Sequence, residues 1–120
     1  MKKVFLSGLL AITLMQSCSV TSVTYIEPKE TFVLGEGKHP GYSAAIKNIG
    51  LNSVEVSTID LSGNVTQLDD LKNGQSRAYS IPANTTVTFK NKGGTVTTAL
   101  NIKLNSPSSD PARLSMGYKN

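Results

Sequence analysis

Few side chains in this sequence combine the residue types and spacing that catalysis or metal binding requires. The sole histidine, His39, lies between Lys38 and Pro40 in a glycine-rich segment, and no serine belongs to a Gly-x-Ser-x-Gly motif. Nucleophilic catalysis needs a nucleophile and a base held together. Zinc and copper sites need several His or Cys ligands, which one histidine and Met116 do not supply. We therefore interpret His39 as a solvated loop histidine and expect no enzymatic activity, cofactor or metal centre.

Two groups of acidic and amide side chains have the spacing of other kinds of site. Asp60, Ser62 and Asn64 alternate as calcium ligands do, but the later bidentate acid of a calcium loop is missing. Asp69 and Asp70 are adjacent, and adjacent residues of a strand point to opposite faces, so their carboxylates cannot share one site. The first group predicts a tight hairpin turn, and the second predicts a solvated surface.

The segment from Gly35 to Lys38 contains the glycines and lysine of a phosphate-binding loop without its spacing. Such a loop has four residues between its glycines, a Ser or Thr after the lysine, and a helix that follows. Here the residues from Tyr42 to Lys47 follow instead, and their pattern is typical of a strand. We therefore predict a turn and no nucleotide site.

Cys18 is the only cysteine, and it stands just after an apolar segment. Lys2 and Lys3 precede Val4 to Met15, a stretch without any charged residue. This stretch is too short to cross a bilayer as a helix, which takes about 20 residues. A positive start, a short apolar core and a small-residue exit are the parts of a secretory signal peptide, so we predict that residues 1–17 form one.

Met15-Gln16-Ser17-Cys18 resembles the lipobox of bacterial lipoproteins, in the loose form that is similar to those of the Bacteroidota. Met15 fits the aliphatic position of that motif and Ser17 its small position, whereas Gln16 departs from the usual small residue. The resemblance implies that the thiol of Cys18 is lipidated and that the leader is removed before it. A second cut fits the same residues, because a general signal peptidase would cleave after Ser19 and discard the cysteine.

Residues 18–120 are enough for one domain and too few for two. Lys2 and Lys3 account for two of the 12 basic residues, which leaves ten basic and eight acidic side chains after the leader. The basic residues are dispersed, so the sequence gives no support for nucleic-acid binding. Cys18 has no possible disulfide partner in the chain, so core packing and strand pairing must hold the domain together.

Apolar and polar residues alternate in short runs, which predicts strands separated by Gly, Asn and Pro turns. The clearest run extends from Thr95 to Leu104, with Val96 on its apolar face. A second run begins at Val54, and Ile59 breaks its alternation. This break predicts a bulge near Thr58 or a strand that changes sheets.

Seven or eight such strands predict an all-β domain over residues 31–120, most simply a small antiparallel β-sandwich, with a small β-barrel as the alternative. Residues 18–30 are predicted to be a lipid-anchored tether that passes into an edge strand. The segments Lys47 to Gly50 and Leu71 to Ser76 resemble the turns of bacterial immunoglobulin-like repeats. That resemblance implies an immunoglobulin-like sandwich and no particular function.

These features predict a protein of the bacterial cell envelope, attached through lipidated Cys18 to a membrane facing the periplasm or the cell surface. It would act as a non-enzymatic interaction or structural module with an envelope protein as its partner. The alternative is a β-barrel lipoprotein that binds a small apolar ligand, which an enclosed apolar cavity would favour.

Overall fold

The computed structural model describes residues 18–106 and 114–119, and these residues form strands and turns without a helix. The described residues contain nine strands: β1 (Cys18–Ile26), β2 (Thr31–Leu34), β3 (Tyr42–Asn48), β4 (Val54–Ile59), β5 (Val65–Leu71), β6 (Ser76–Ile81), β7 (Thr86–Asn91), β8 (Thr98–Ser106) and β9 (Met116–Lys119).

The strands form two antiparallel sheets, one of four strands in the order β1-β8-β3-β6 and one of five in the order β5-β4-β7-β2-β9. Each sheet ends in strands that pair on one side only, so neither closes into a barrel. The predicted small antiparallel β-sandwich is confirmed. The alternative of a small β-barrel is wrong, because β1 and β6 end one sheet and β5 and β9 end the other.

The core lies between the two sheets, and most of its side chains come from β2, β3, β4, β7 and β8. In β3 every second residue is buried, as the two-residue period of a strand requires. Phe32 and Phe89 are paired on β2 and β7, and their rings stack at 6.2 Å. Burial of a large apolar side chain contributes about 1.5–3 kcal/mol. The core residues are Ile26, Phe32, Leu34, Tyr42, Ala44, Ile46, Val54, Val56, Leu71, Ile81, Val87, Phe89, Leu100, Ile102 and Leu104.

β1 begins at Cys18, so much of the stretch predicted as a tether is a strand. It pairs with β8 without a register shift, from Cys18 opposite Ser106 to Ile26 opposite Thr98. The expected edge strand is confirmed, and it starts earlier than the Ser- and Thr-rich composition indicated. Tertiary contacts explain the difference, because Ile26 is buried in the core and β8 offers β1 a complete hydrogen-bonding edge.

β8 begins at Thr98, later than the predicted strand from Thr95. Val96 was expected on the apolar face, but it lies in the preceding loop with 42% of its surface exposed. The side-chain amides of Asn52 and Asn91 donate to the Val96 carbonyl, which holds this segment outside the sheet.

The irregularity predicted near Thr58 lies in the pairing of β4 with β5. The register shifts between Val56 and Ser57, which leaves Leu68 of β5 without a partner. The bulge is therefore on β5, whereas β4 pairs with β7 without a shift. Ile59 faces the outside of the five-stranded sheet, which explains its break in the alternation.

Candidate functional site

Two completely buried asparagines, Asn48 at the end of β3 and Asn91 at the end of β7, lie at the same end of the sandwich. Each is followed two residues later by a glycine, Gly50 or Gly93. In both turns the asparagine Oδ1 accepts the backbone N–H of that glycine at 2.9 Å. The two sheets therefore end in turns of the same Asn-x-Gly type.

The Nδ2 group of each asparagine joins the two sheets. Asn48 donates to the carbonyl of Asn52 at 2.7 Å and to that of Leu71, in the five-stranded sheet, at 2.8 Å. Asn91 donates to the carbonyl of Ile26, in the four-stranded sheet, at 2.8 Å. Because these buried amides have partners for both donor and acceptor groups, they stabilise one arrangement of the strand ends.

Asn52 connects the two turns with each other. Its Nδ2 donates to the Oδ1 of Asn91 at 3.1 Å and to the carbonyl of Val96 at 2.7 Å. Gly93 lies directly against the Asn52 side chain, and a Cβ atom at that glycine would overlap the amide. The β3–β4 and β7–β8 loops are therefore held against each other by side-chain hydrogen bonds.

Three apolar side chains on these two loops are exposed: Ile49 by 45%, Leu51 by 80% and Val96 by 42%. We name them the apolar loop patch. The hydrogen bonds of Asn52 hold the two loops together, so these residues lie at the same end of the sandwich. Exposed apolar residues on loops of a rigid scaffold often form protein interaction sites. The sequence pattern predicted only a turn at residues 48–52, so this patch was not expected. The available signal was two large apolar residues on either side of Gly50.

Cys18 lies at the other end of β1 from Ile26, and so at the end of the sandwich opposite the apolar loop patch. The eight residue steps of this strand span about 27 Å. A lipid attached at Cys18 would therefore leave the apolar loop patch uncovered. Within residues 18–106 and 114–119, no helix has the length and apolar character to span a membrane.

His39 connects two loops and is partly buried. Its backbone N–H donates to the Oδ1 of Asn84 at 2.9 Å, and its ring Nε2 and Nδ1 lie 2.9 Å and 2.7 Å from the carbonyls of Thr85 and Pro40. The ring also contacts Tyr42, with centroids 5.4 Å apart. The loop position is as predicted, but the side chain is less solvated than expected. Both ring nitrogens face backbone carbonyls, which indicates that His39 positions the loops.

Asp60 stabilises the hairpin turn that its surroundings predict. Its Oδ1 accepts the backbone N–H groups of Ser62 and Asn64 at 2.9 Å, and its Oδ2 accepts the Asn64 side-chain amide at 3.1 Å. The backbone and side-chain hydrogen bonds from Asn64 hold the pKa of Asp60 below its usual value. In the part of the chain that the structure describes, no three His, Cys, Asp or Glu side chains come together as a metal site.

Asp69 and Asp70 point to opposite faces of β5, as predicted, but only Asp70 is on the open surface. Asp69 faces inward at the edge of the sandwich, where it accepts the hydroxyl of Tyr79 at 2.6 Å and lies 3.7 Å from the Nε of Arg77. Burial, followed by the hydrogen bond to Asp69, raises the pKa of Tyr79. The prediction of a solvated surface is therefore wrong for Asp69, which joins the edges of the two sheets.

The outer face of the four-stranded sheet has a shallow groove of about 410 Å³. Its lining includes the small side chains of Ala45 and Ala78 and the basic side chains of Lys47 and Lys103. None of the four strands contains an acidic residue. The groove is open to solvent, so it differs from the enclosed apolar cavity that a ligand-binding barrel would contain.

Comparison of the chain with models of protein families and with curated proteins found no match.

Proposed function

We propose that this protein is a lipid-anchored protein of the bacterial envelope that acts as a non-enzymatic interaction module. Cys18 is the lipidated residue, and the apolar loop patch binds an envelope protein. The observation that supports this proposal best is the position of the two sites at opposite ends of the sandwich. Because β1 separates them by about 27 Å, attachment at Cys18 leaves the patch free to bind.

The hydrogen bonds behind the apolar loop patch support a binding role. Leu51 is the most exposed large apolar residue among the described residues, and it projects from a loop that Asn48 and Asn52 hold in place. A loop that is ordered before binding loses less conformational entropy when a partner binds. An exposed leucine on such a loop can therefore contribute apolar contact area at low entropic cost.

The turn at Asn48-Ile49-Gly50 resembles that of bacterial immunoglobulin-like repeats, and it is the turn that positions Ile49 and Leu51. We therefore include an immunoglobulin-like sandwich in the proposal. A small apolar ligand has less support as the partner. The sheets do not form a closed barrel, the space between them is filled by core side chains, and the groove at Ala45 and Ala78 is open.

The lipid anchor is tested by replacing Cys18 with Ala in the full chain, expressed with its leader in a bacterial host. We expect the parent protein in the membrane fraction and the variant in the soluble fraction, because each buried CH₂ of an acyl chain contributes about 0.8 kcal/mol to membrane binding. The mass of the mature parent protein reports whether cleavage occurs before Cys18 or after Ser19. Unchanged membrane partitioning of the Cys18→Ala variant would contradict the anchor.

The binding site is tested by recovering partners from envelope extracts with the lipidated protein. Leu51→Asp should lose a stoichiometric protein partner that the parent retains, because a carboxylate replaces an apolar contact. Leu61→Asp is the matched control, since Leu61 is 62% exposed in the hairpin between β4 and β5, at the other end of the sandwich. Equal recovery with both variants would exclude the apolar loop patch, and a co-purified small molecule would instead support ligand binding.

A further inference from the structure

The outer edge of β1 is unpaired among the described strands, because β1 ends the four-stranded sheet. It is nine residues long, contains neither a charged residue nor a proline, and pairs with β8 without a bulge. A long, regular edge of this kind presents a row of free N–H and C=O groups, and it is a template for another strand.

The other three sheet edges each have a feature that opposes pairing. β5 has the bulge at Leu68 and the charges of Asp69 and Asp70. β9 has only four residues and includes Lys119, and β6 includes Arg77. Charges, bulges and short length are the usual means by which proteins prevent edge-to-edge association. Among the described edges, β1 has none of them.

The hydrogen bonds of the sheet identify which groups of β1 are free. The Ile49 N–H donates to the Ala99 carbonyl at 3.0 Å, so Ala99 is a hydrogen-bonded position of β8 toward β3. Hydrogen-bonded positions alternate along an antiparallel pair, so the odd-numbered residues of β8 direct their N–H and C=O groups toward β3. The even-numbered residues of β8 therefore bond to β1, where their partners are also even-numbered. It follows that four residues direct their N–H and C=O groups to the open edge: Ser19, Thr21, Val23 and Tyr25.

We propose that a second copy of this chain binds this edge, with the two β1 strands antiparallel about a two-fold axis at Ser22. This register places Thr21 opposite Val23 of the other copy and Ser19 opposite Tyr25, so every free backbone group meets a free partner. The four residues of each strand form eight hydrogen bonds between the copies. It is also the register that overlaps all nine residues of both strands, and it keeps core-facing positions opposite core-facing positions.

The paired strands form one continuous sheet of eight strands, four from each copy. The two-fold axis is perpendicular to this sheet, so the lysine-bearing outer faces of both copies lie on the same side. The two Cys18 residues lie about 27 Å apart along the paired strands, and both lie in that sheet. Two anchors can therefore enter one membrane when the strands lie along its surface. In this pair, Cys18 of each copy lies opposite Ile26 of the other, so each end of the joined sheet carries one anchor and the other copy's apolar loop patch, and the 27 Å separation holds within each copy. The inference rests on the free edge of β1 and not on the binding role of the patch.

Cysteine cross-linking of the full chain in bacterial envelope membranes tests the register. In the proposed pair, the Ser22 residues face each other at a non-hydrogen-bonded position with Cα atoms about 4.5 Å apart, which a disulfide can bridge. We expect Ser22→Cys to give a disulfide-linked dimer on oxidation. Thr24→Cys is the matched control on the same face, because its two copies would be roughly 14 Å apart. The unmodified chain reports any dimer that forms through Cys18.

A second substitution, combined with Ser22→Cys, tests the open edge itself. Val23→Pro removes an N–H that faces this edge and leaves the bonds to β8 intact, so the cross-link should fall to the level of the Thr24→Cys control. Ala78→Pro is the matched control, since the Ala78 N–H faces the open edge of β6, and it should leave the cross-link unchanged.

Three outcomes would overturn the proposal: no cross-link at Ser22, equal cross-links at Ser22 and Thr24, or a cross-link that persists with Val23→Pro. Resistance to protease verifies that each variant is folded. If Val23→Pro does not fold, the comparison of Ser22→Cys with Thr24→Cys still tests the proposed register, because only Ser22→Cys should form the disulfide-linked dimer.

Discussion

The hydroxyl group of Tyr42 is buried and has no hydrogen-bond partner among the described residues, whereas the hydroxyl of Tyr79 donates to Asp69. Burial raises the pKa of Tyr42 above its usual value. A buried polar group without a partner costs about 1–3 kcal/mol, while a satisfied hydrogen bond contributes about 1 kcal/mol. The same substitution should therefore have opposite effects at the two tyrosines.

We expect Tyr42→Phe to raise the free energy of unfolding by about 1 kcal/mol and Tyr79→Phe to lower it by about 1 kcal/mol. Urea unfolding at neutral pH, followed by circular dichroism, measures both values. Destabilisation by Tyr42→Phe comparable to that by Tyr79→Phe would show that the Tyr42 hydroxyl has a partner in solution.

Asp60 provides a prediction about pH. Its pKa is lower in the folded protein than in the unfolded chain, because the turn donates hydrogen bonds to the carboxylate. A depressed pKa contributes stability at pH values above the unfolded pKa, and this contribution is lost as the pH falls through the folded pKa. Asp60→Asn should therefore be less stable than the parent near neutral pH, and the difference should shrink below about pH 4. Urea midpoints from pH 7 to pH 2.5 measure it, and a constant difference over this range would contradict the assignment.

The residue-scale features were only partly predictable from the sequence. The local roles of Asp60 and the glycine-rich loop around His39 follow from nearby residues. The inward position of Asp69 does not, because its partner Tyr79 lies in the other sheet. A charged side chain at the edge of one sheet can hydrogen-bond to a residue of the other sheet. The local sequence does not indicate which strand of the other sheet lies opposite it.

At the scale of elements, the two Asn-x-Gly turns are the clearest example of one sequence pattern with one structural role. The asparagine at each strand end satisfies the glycine N–H and the carbonyls of other segments. The glycine is needed because no space exists for a side chain: a Cβ at Gly50 would overlap Thr98 and Ala99, and one at Gly93 would overlap Asn52.

The adjacent glycines Gly93 and Gly94 test this explanation. Gly93→Ala should lower the free energy of unfolding by about 1–3 kcal/mol, because the methyl group displaces the Asn52 amide from its hydrogen bonds. Gly94→Ala meets no atom within 4 Å. It should leave stability unchanged or raise it by up to about 1 kcal/mol, because alanine restricts the unfolded chain.

Thermal and urea unfolding of both glycine variants measure the difference. Equal changes in the free energy of unfolding for Gly93→Ala and Gly94→Ala would mean that the Asn52 amide can move without loss of stability. Binding of the proposed envelope partner should fall only with Gly93→Ala, because Asn52 positions the loop that presents Leu51.

Strands were predictable where the pattern is local and less so where pairing decides their ends. The alternation around Val54 predicted β4 and a nearby bulge, but the extra residue, Leu68, belongs to the neighbouring strand. A break in the apolar alternation of one strand indicates a shift in register with a neighbouring strand. It does not show which of the two strands has the additional residue.

At the scale of the whole molecule, the sandwich separates three surfaces. Cys18 lies at one end, the apolar loop patch at the other, and the groove with Lys47 and Lys103 lies on the outer face of the four-stranded sheet. The apolar loop patch and the groove are each formed by residues distant in sequence. In the proposed pair of chains, the two apolar loop patches lie at opposite ends of the joined sheet, each at the end that holds Cys18 of the other copy.

The sequence by itself determined the all-β class, most strand and turn positions, and the expectation of a leader over residues 1–17, just before Cys18. These features depend on a two-residue period, on turn-forming residues and on the hydropathy of a short segment, all of which are local. Only the tertiary structure decided that β1 pairs with β8, more than 70 residues away, and that Asn52, Asn91 and Val96 meet at one end. Contacts of this kind depend on how all the strands bury one common core, and no short stretch of the chain specifies them.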